Sequence, residues 1–115
     1  MVTHNRLAFH AIADPTRRAI LDALRQRERS AGELASLFPV SRPAVSRHLR
    51  VLRGAGLVRQ RQVAQSRLYS LDPTPLREVE RWIEHYRGFW TARLHDLKQF
   101  VESTEGRIST PGEHP

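Results

Sequence analysis

Arginine carries most of the chemistry this sequence offers. It occurs 18 times, against the single lysine Lys98. A guanidinium keeps its charge at any physiological pH and presents its donors as a planar fork. That fork suits the oxygens of a phosphate or the O6 and N7 edge of a guanine. Placement says more than number. From Leu34 to Leu71 there is no Asp or Glu, while Arg42, Arg47, Arg50, Arg53, Arg59, Arg61 and Arg67 all fall there. Those residues account for the whole net charge of +7, because the rest of the 115-residue chain holds 12 basic and 12 acidic residues. A neutral body with one concentrated positive segment suits a protein that meets a polyanion. The bland alternative is a solvated charged face, and the elements that position the arginines decide between the two.

Other chemistries are thinly supplied. With no cysteine there is no disulfide, thiolate metal site or thiol switch. One lysine leaves little room for active-site amine chemistry. No nucleophile elbow, phosphate loop or zinc-hydrolase helix occurs, so no enzyme activity and no cofactor are expected. No apolar run approaches the roughly 20 residues of a membrane span. Met1-Val2-Thr3-His4-Asn5-Arg6 lacks the apolar stretch of a secretory signal, so the expected location is the cytoplasm, with no membrane partner. At 39% hydrophobic, the chain can bury one modest core.

Start and stop signals divide the chain. A short helix is expected over 5–13, with Leu7, Ala8, Ala11 and Ile12 on one face. Asp14-Pro15 reads as an N-cap followed by proline at the first helical position, opening a second helix to about Arg27 that buries Ala19, Ile20, Ala23 and Leu24. Ser30-Ala31-Gly32-Glu33 is a capping box that starts a third short helix, with Leu34 and Leu37 inward, broken by Phe38-Pro39-Val40. Ser41 caps a fourth, with Pro43 in its first turn and Gly54-Ala55-Gly56 at its end. Two short helices joined by a tight turn make a helix-turn-helix. Strands are expected over 57–62 and 67–71, joined by Val63-Ala64-Gln65-Ser66. Asp72-Pro73-Thr74-Pro75 stops the sheet and starts a last helix over about 74–103.

On a wheel of about 100° per residue, Val45, Leu49 and Leu52 of the fourth helix fall together and must face the core. Pro43, Arg47 and Arg50 point the opposite way, flanked by Arg42, Ala44 and Ser46. Two outward arginines beside small residues are what insertion into a major groove about 12 Å wide requires. Whether Arg42 and Arg47 read a base or clamp a phosphate stays open. His48, on the edge of the buried face, fits packing or a phosphate contact better than a base contact. On the hairpin, Arg59, Arg61 and Arg67 can lie along phosphates. Gln65 at the tip either reaches a minor groove or is a plain turn residue. The last helix carries Val79, Trp82, Ile83, Tyr86, Trp90, Leu94, Leu97 and Val101 near a period of 3.5, widened by Phe89 and Phe100. A small domain has little core left to cover that stripe, and a dimer seam explains it best.

Ala13-Asp14-Pro15-Thr16-Arg17-Arg18, Glu33-Leu34-Ala35 and the long run from Val40-Ser41-Arg42-Pro43-Ala44-Val45 to Gly54-Ala55-Gly56-Leu57-Val58 resemble the arsenical-resistance-repressor (ArsR) family of bacterial winged-helix regulators. The resemblance spans about residues 5–103. It implies a homodimer held through the first and last helices, repressing from an operator that overlaps its own promoter. Pro39 stands where the family often has glycine, and proline excludes positive φ, so a departure in the turn is expected there. Metal-sensing members carry Cys-x-Cys just before the turn, where this chain has Ser30 and Gly32. A second family site continues eleven residues beyond a histidine as His-x-x-Glu, but here His85 is followed by Asp96 and Gln99. The resemblance is therefore nearest the metal-independent, SdpR-like branch. His4, His10, His85 and His95 leave open a histidine-based metal response across a dimer.

The expected fold is thus mainly α with a small β-hairpin, a winged helix-turn-helix of about five helices plus a two-stranded wing. Residues 1–104 form the DNA-binding domain with its dimerising helices, and 105–115 a disordered tail. The partners expected are double-stranded DNA with an inverted-repeat operator, and a second copy. DNA contacts are assigned to Ser41, Arg42, Pro43, Ala44, Ser46, Arg47, His48, Arg50, Arg53, Arg59, Arg61, Gln65 and Arg67. The dimer seam takes Leu7, Trp82, Tyr86, Phe89, Trp90, Leu94, Leu97 and Val101; no metal site is expected. The alternative functions are a sequence-indifferent architectural DNA-binding protein and the histidine-based repressor.

Overall fold

The computed structural model describes residues 2–109, with side chains over 6–104. Five helices and a three-stranded antiparallel sheet follow one another as α1 (Val2–Ile12), α2 (Pro15–Gln26), β1 (Arg29–Ser30), α3 (Ala31–Leu37), α4 (Arg42–Gly54), β2 (Val58–Val63), β3 (Ser66–Leu71) and α5 (Leu76–Ser109). They form two compact units, one up to Glu80 and the other made of α5 from Arg81 onward.

α2, α3 and α4 each start where a side chain offers a substitute for a missing backbone partner. Asp14 accepts from the Arg17 amide at 3.0 Å and Pro15, which has no N–H to leave unsatisfied, follows it. Ser30 and Glu33 close the capping box in both directions, at 3.1 and 2.8 Å. Ser41 caps α4 by accepting from the Ala44 amide at 3.2 Å. At its other end α4 closes in a Schellman motif: the Leu57 amide donates to Leu52 at 3.0 Å and Gly56 to Arg53 at 2.9 Å. Gly56 supplies the positive φ, +77°, that this closure needs.

The turn between α3 and α4 departs from a glycine-type turn as Pro39 requires. The Val40 amide donates to the Phe38 carbonyl at 2.8 Å, so proline sits at the centre of a three-residue turn that needs no positive φ. The core gathers Ile20 and Leu24 of α2, Leu34 of α3, Val45, Leu49 and Leu52 of α4, Leu57, and Val58 and Tyr69 of the sheet.

Several expectations need correction. β1 is a third strand: two residues that pair antiparallel with β3, Arg29 opposite Tyr69 and Ser30 opposite Leu68, giving the order β1-β3-β2. Leu37 is 49% exposed rather than inward, because α3 has only two turns and Leu34 alone reaches the core. Ala19 is only partly buried, and Leu21 takes an inward place instead. The hairpin loop has two residues, since Val63 pairs with Ser66, and Ala64 turns it at φ +55°. α5 begins at Leu76, after turn hydrogen bonds from residues 76–78 back to Pro73, Thr74 and Pro75. It runs to Ser109, into the segment expected to be disordered, because a helix once formed adds residues at little cost. Residues 110–115 of that expected tail lie outside the described residues.

The two positive-φ positions differ in fit: glycine at 56 suits its backbone and alanine at 64 does not. Gly56→Ala places a side chain in the left-handed region and costs about 1–2 kcal/mol of stability. Ala64→Gly relieves the same strain and, after the added freedom of the unfolded chain, gains roughly 0.5–1 kcal/mol. Urea unfolding at one fixed protein concentration measures both, and shifts of the same sign overturn this account.

Candidate nucleic-acid interface

α4 is held from one side and bare on the other. Val45, Leu49 and Leu52 are 0–1% exposed, while Arg42, Pro43, Ser46, Arg47, Arg50 and Arg53 stand in solvent. Ala44 and His48 lie between, half-buried. Among the described residues none of those four arginines makes an ion pair. The outward set expected from the helix wheel therefore lies on one surface that runs the length of α4.

His48 is placed differently from its neighbours. Its Nδ1 lies 3.3 Å from Nη1 of Arg17. A guanidinium can only donate, so Nδ1 accepts, and the neutral ring carries its proton on Nε2. Arg17 also donates from Nε to the Ala11 carbonyl at 2.7 Å and from Nη2 to the His10 carbonyl at 3.1 Å. Arg18 adds a bond to the Ile12 carbonyl at 2.8 Å. Asp14-Pro15-Thr16-Arg17-Arg18 thus caps two helices at once: Asp14 satisfies the start of α2, and the arginines satisfy the unpaired carbonyls that end α1. The Arg17 amide, and then the charge of the Arg17 guanidinium, hold the Asp14 carboxyl below its usual range. No sequence signal marked Arg17 as the link to α4; a paired-arginine motif just after an N-cap is a clue only in hindsight.

The wing arginines divide by sheet face. Side chains alternate across a strand, and directly opposed residues of an antiparallel pair share a face. The register pairs Arg59 with Ser70, Arg61 with Leu68, Gln60 with Tyr69 and Gln62 with Arg67. Arg67 therefore shares the face of Tyr69, which is buried toward the core, while Arg59 and Arg61 take the other face. There Arg61 makes a two-pronged pair with Glu28, at 2.9 and 2.8 Å, and Arg59 holds Asp72 at 3.0 and 2.8 Å. The bonds from Arg61 hold the Glu28 carboxyl below its usual range and raise the guanidinium. The Thr74 hydroxyl and amide, and then Arg59, lower Asp72. The three arginines expected to be able to lie along phosphates are thus not equivalent: Arg67 makes no ion pair among the described residues, whereas Arg59 and Arg61 hold carboxylates just outside the acid-free segment. Gln65 is exposed at the tip of the two-residue loop.

On α5 the described part of the apolar stripe stands open. Trp82, Tyr86, Phe89, Trp90, Leu94, Leu97, Phe100 and Val101 are all exposed, with Leu94 at 66%. Trp82 and Tyr86 meet edge to face at 5.3 Å, and Arg93 lies over the Phe89 ring at 5.3 Å. Leu7 on α1 is exposed as well. No helix among the described residues is long and apolar enough to cross a membrane.

Comparison with known proteins agrees with this geometry. A helix-turn-helix domain family matches residues 12–61, which span α2 to the middle of β2. The HTH-type transcriptional regulator Rv2034 of Mycobacterium tuberculosis is 45% identical over 96 residues, covering 84% of this chain and 87% of that protein. The transcriptional repressor SdpR of Bacillus subtilis is 38% identical over 78 residues, covering 68% and 87%. Among solved structures, an ArsR family transcriptional regulator superposes with a TM-score of 0.69 at 28% identity, over 79% of this chain and 94% of that one. With its capped helix-turn-helix and hairpin wing, the chain belongs to the ArsR family of winged helix-turn-helix transcriptional regulators, which are DNA-binding proteins and not enzymes.

Proposed function

We propose that the protein is a dimeric repressor that reads an inverted-repeat operator overlapping its own promoter, and that it needs no metal. The observation that carries this reading is the bare face of α4, where Arg42, Arg47, Arg50 and Arg53 stand unpaired opposite a fully buried stripe. A protein indifferent to sequence has no need of a helix stripped for one groove. The likeness to SdpR, itself named a repressor, supports repression as the outcome. Footprinting on the protein's own promoter region tests it. Two protected half-sites about one helical turn apart are expected. Uniform protection favours the architectural alternative and overturns operator reading.

Base reading is assigned to Arg47, at the centre of the exposed face, and phosphate contact to Arg50, Arg53 and Arg67. A dimer engaging about 6–10 phosphates gives a slope of log affinity against log salt of roughly −5 to −9. Arg47→Ala costs about 1–3 kcal/mol on operator DNA and relaxes one base position per half-site. Arg67→Ala weakens all sequences alike and flattens the salt slope, whereas Arg61→Ala flattens it less, because Glu28 already holds that charge. Binding isotherms on operator and scrambled duplexes at several salt concentrations measure all three. Equal losses for Arg47→Ala on both duplexes make Arg47 a phosphate clamp.

The second copy is assigned to the α5 stripe. Eight exposed large apolar side chains on one helix exceed what a monomeric surface normally leaves bare. Trp90→Glu or Leu94→Glu buries a charge in that seam, so sedimentation should find the wild type dimeric at micromolar concentration and the variants monomeric. A monomeric wild type overturns the assignment.

Metal independence rests on what occupies the family's ligand positions. Ser30 accepts the Glu33 amide and is committed to the cap, and Gly32 has no side chain. Zinc, nickel or cobalt should leave operator affinity unchanged. A tenfold loss at sub-micromolar metal brings the histidine-based reading back.

A further inference from the structure

A cleft of about 460 Å³ opens between the start of α3, the recognition helix and the wing. Arg42 and Ser46 line it from α4, Gln65 and Arg67 from the hairpin, and Gly32 forms part of its wall. We infer that this cleft is a phosphodiester clamp: Arg42 and Arg67 grip one backbone phosphate of the bound duplex from two different elements. The inference rests on the DNA-binding reading above and gives Arg42 a definite role within it.

Four observations converge. Neither guanidinium makes an ion pair among the described residues, while the other two wing arginines are neutralised by Asp72 and Glu28. No acidic residue lines the cleft, so two positive charges face one space with nothing to balance them. The strand register puts Arg67 on the sheet face of Tyr69, and Tyr69 lines the same cleft. Arg42 is folded back: its guanidinium carbon and Nη1 lie 3.9 Å from where a Cβ on residue 32 would stand. A guanidinium held over Gly32 of α3 shares the cleft with Gln65 and Arg67 of the hairpin, and the missing side chain at Gly32 keeps that space open. Ser46 and Gln65 add neutral donors to the wall. Two charge-assisted forks on one diester also explain why the wing needs only one unpaired arginine.

The probe is a duplex selected from random sequence for binding the full chain, remade with a single neutral methylphosphonate at each backbone position in turn. For the wild type, one position per half-site should cost roughly tenfold or more in affinity. Arg42→Ala and Arg67→Ala should each bind more weakly and each lose sensitivity at that same position. The double variant should be no more than about threefold worse than the weaker single, because the two side chains serve one phosphate. Gly32→Leu fills the cleft with both arginines intact and should abolish sensitivity at the same position. Sensitivity lost at different phosphates, multiplicative losses in the double variant, or wild-type binding by Gly32→Leu each overturn the clamp. Those outcomes leave operator binding itself intact. A wild type that selects no sequence from the random pool overturns the DNA-reading proposal as well.

Discussion

A helix with the role proposed for α4 must be held rigidly while its outer face touches nothing, and the rest of the first unit meets that constraint. Only one stripe of α4 is available for anchoring, so it carries the full load. Val45, Leu49 and Leu52 are sealed against Ile20, Leu34 and Leu57. Burying aliphatic side chains of this size contributes about 1.5–3 kcal/mol each. Both ends are fixed independently of the stripe, by Ser41 at the start and the Gly56 closure at the finish. A helix pinned at two ends and along one side cannot roll, which keeps its arginines in register with one another.

Charge is sorted by the same geometry. The acid-free segment places positive charge on the recognition helix and wing without distinction, and the pleat of β2 and β3 then divides it. Residues on one sheet face meet Glu28 and Asp72, while Arg67 on the other face is left with α4 as its neighbour across the cleft. The positive field is thus concentrated where α4 lies and quenched behind it. Exposed ion pairs of this kind add little to stability. Their effect is on where the wing sits and which of its charges remain free.

The helices were legible because their signals are local. The capping box at Ser30 and Glu33, the caps at Asp14 and Ser41, and the buried stripe of α4 depend on residues three or four apart, and all appear as expected. What stayed hidden was set by distant partners. Glu28 and Arg61 are 33 residues apart, and no pattern in either segment announces the pair. β1 has two residues, too few to show alternation, and exists only because β3 offers its free edge. Leu37 looked inward by period, but α3 ends before a second inward position can be filled. At Ala64 the strand pairing forces a φ that its residue type does not ask for. The arginines were found by type; which of them remain available became clear only with the sheet register.

Arg17 gives the fold one further property. A single guanidinium fastens the last carbonyls of α1 to His48 on α4, and only Ala13 and Asp14 separate α1 from α2. A joint so short and so tightly fastened has little backlash. Tilting α1 therefore drags α4 with it instead of being absorbed in a soft linker. The placement of α4 within the first unit becomes a mechanical quantity, set in part by a residue on α2 and not by α4 alone.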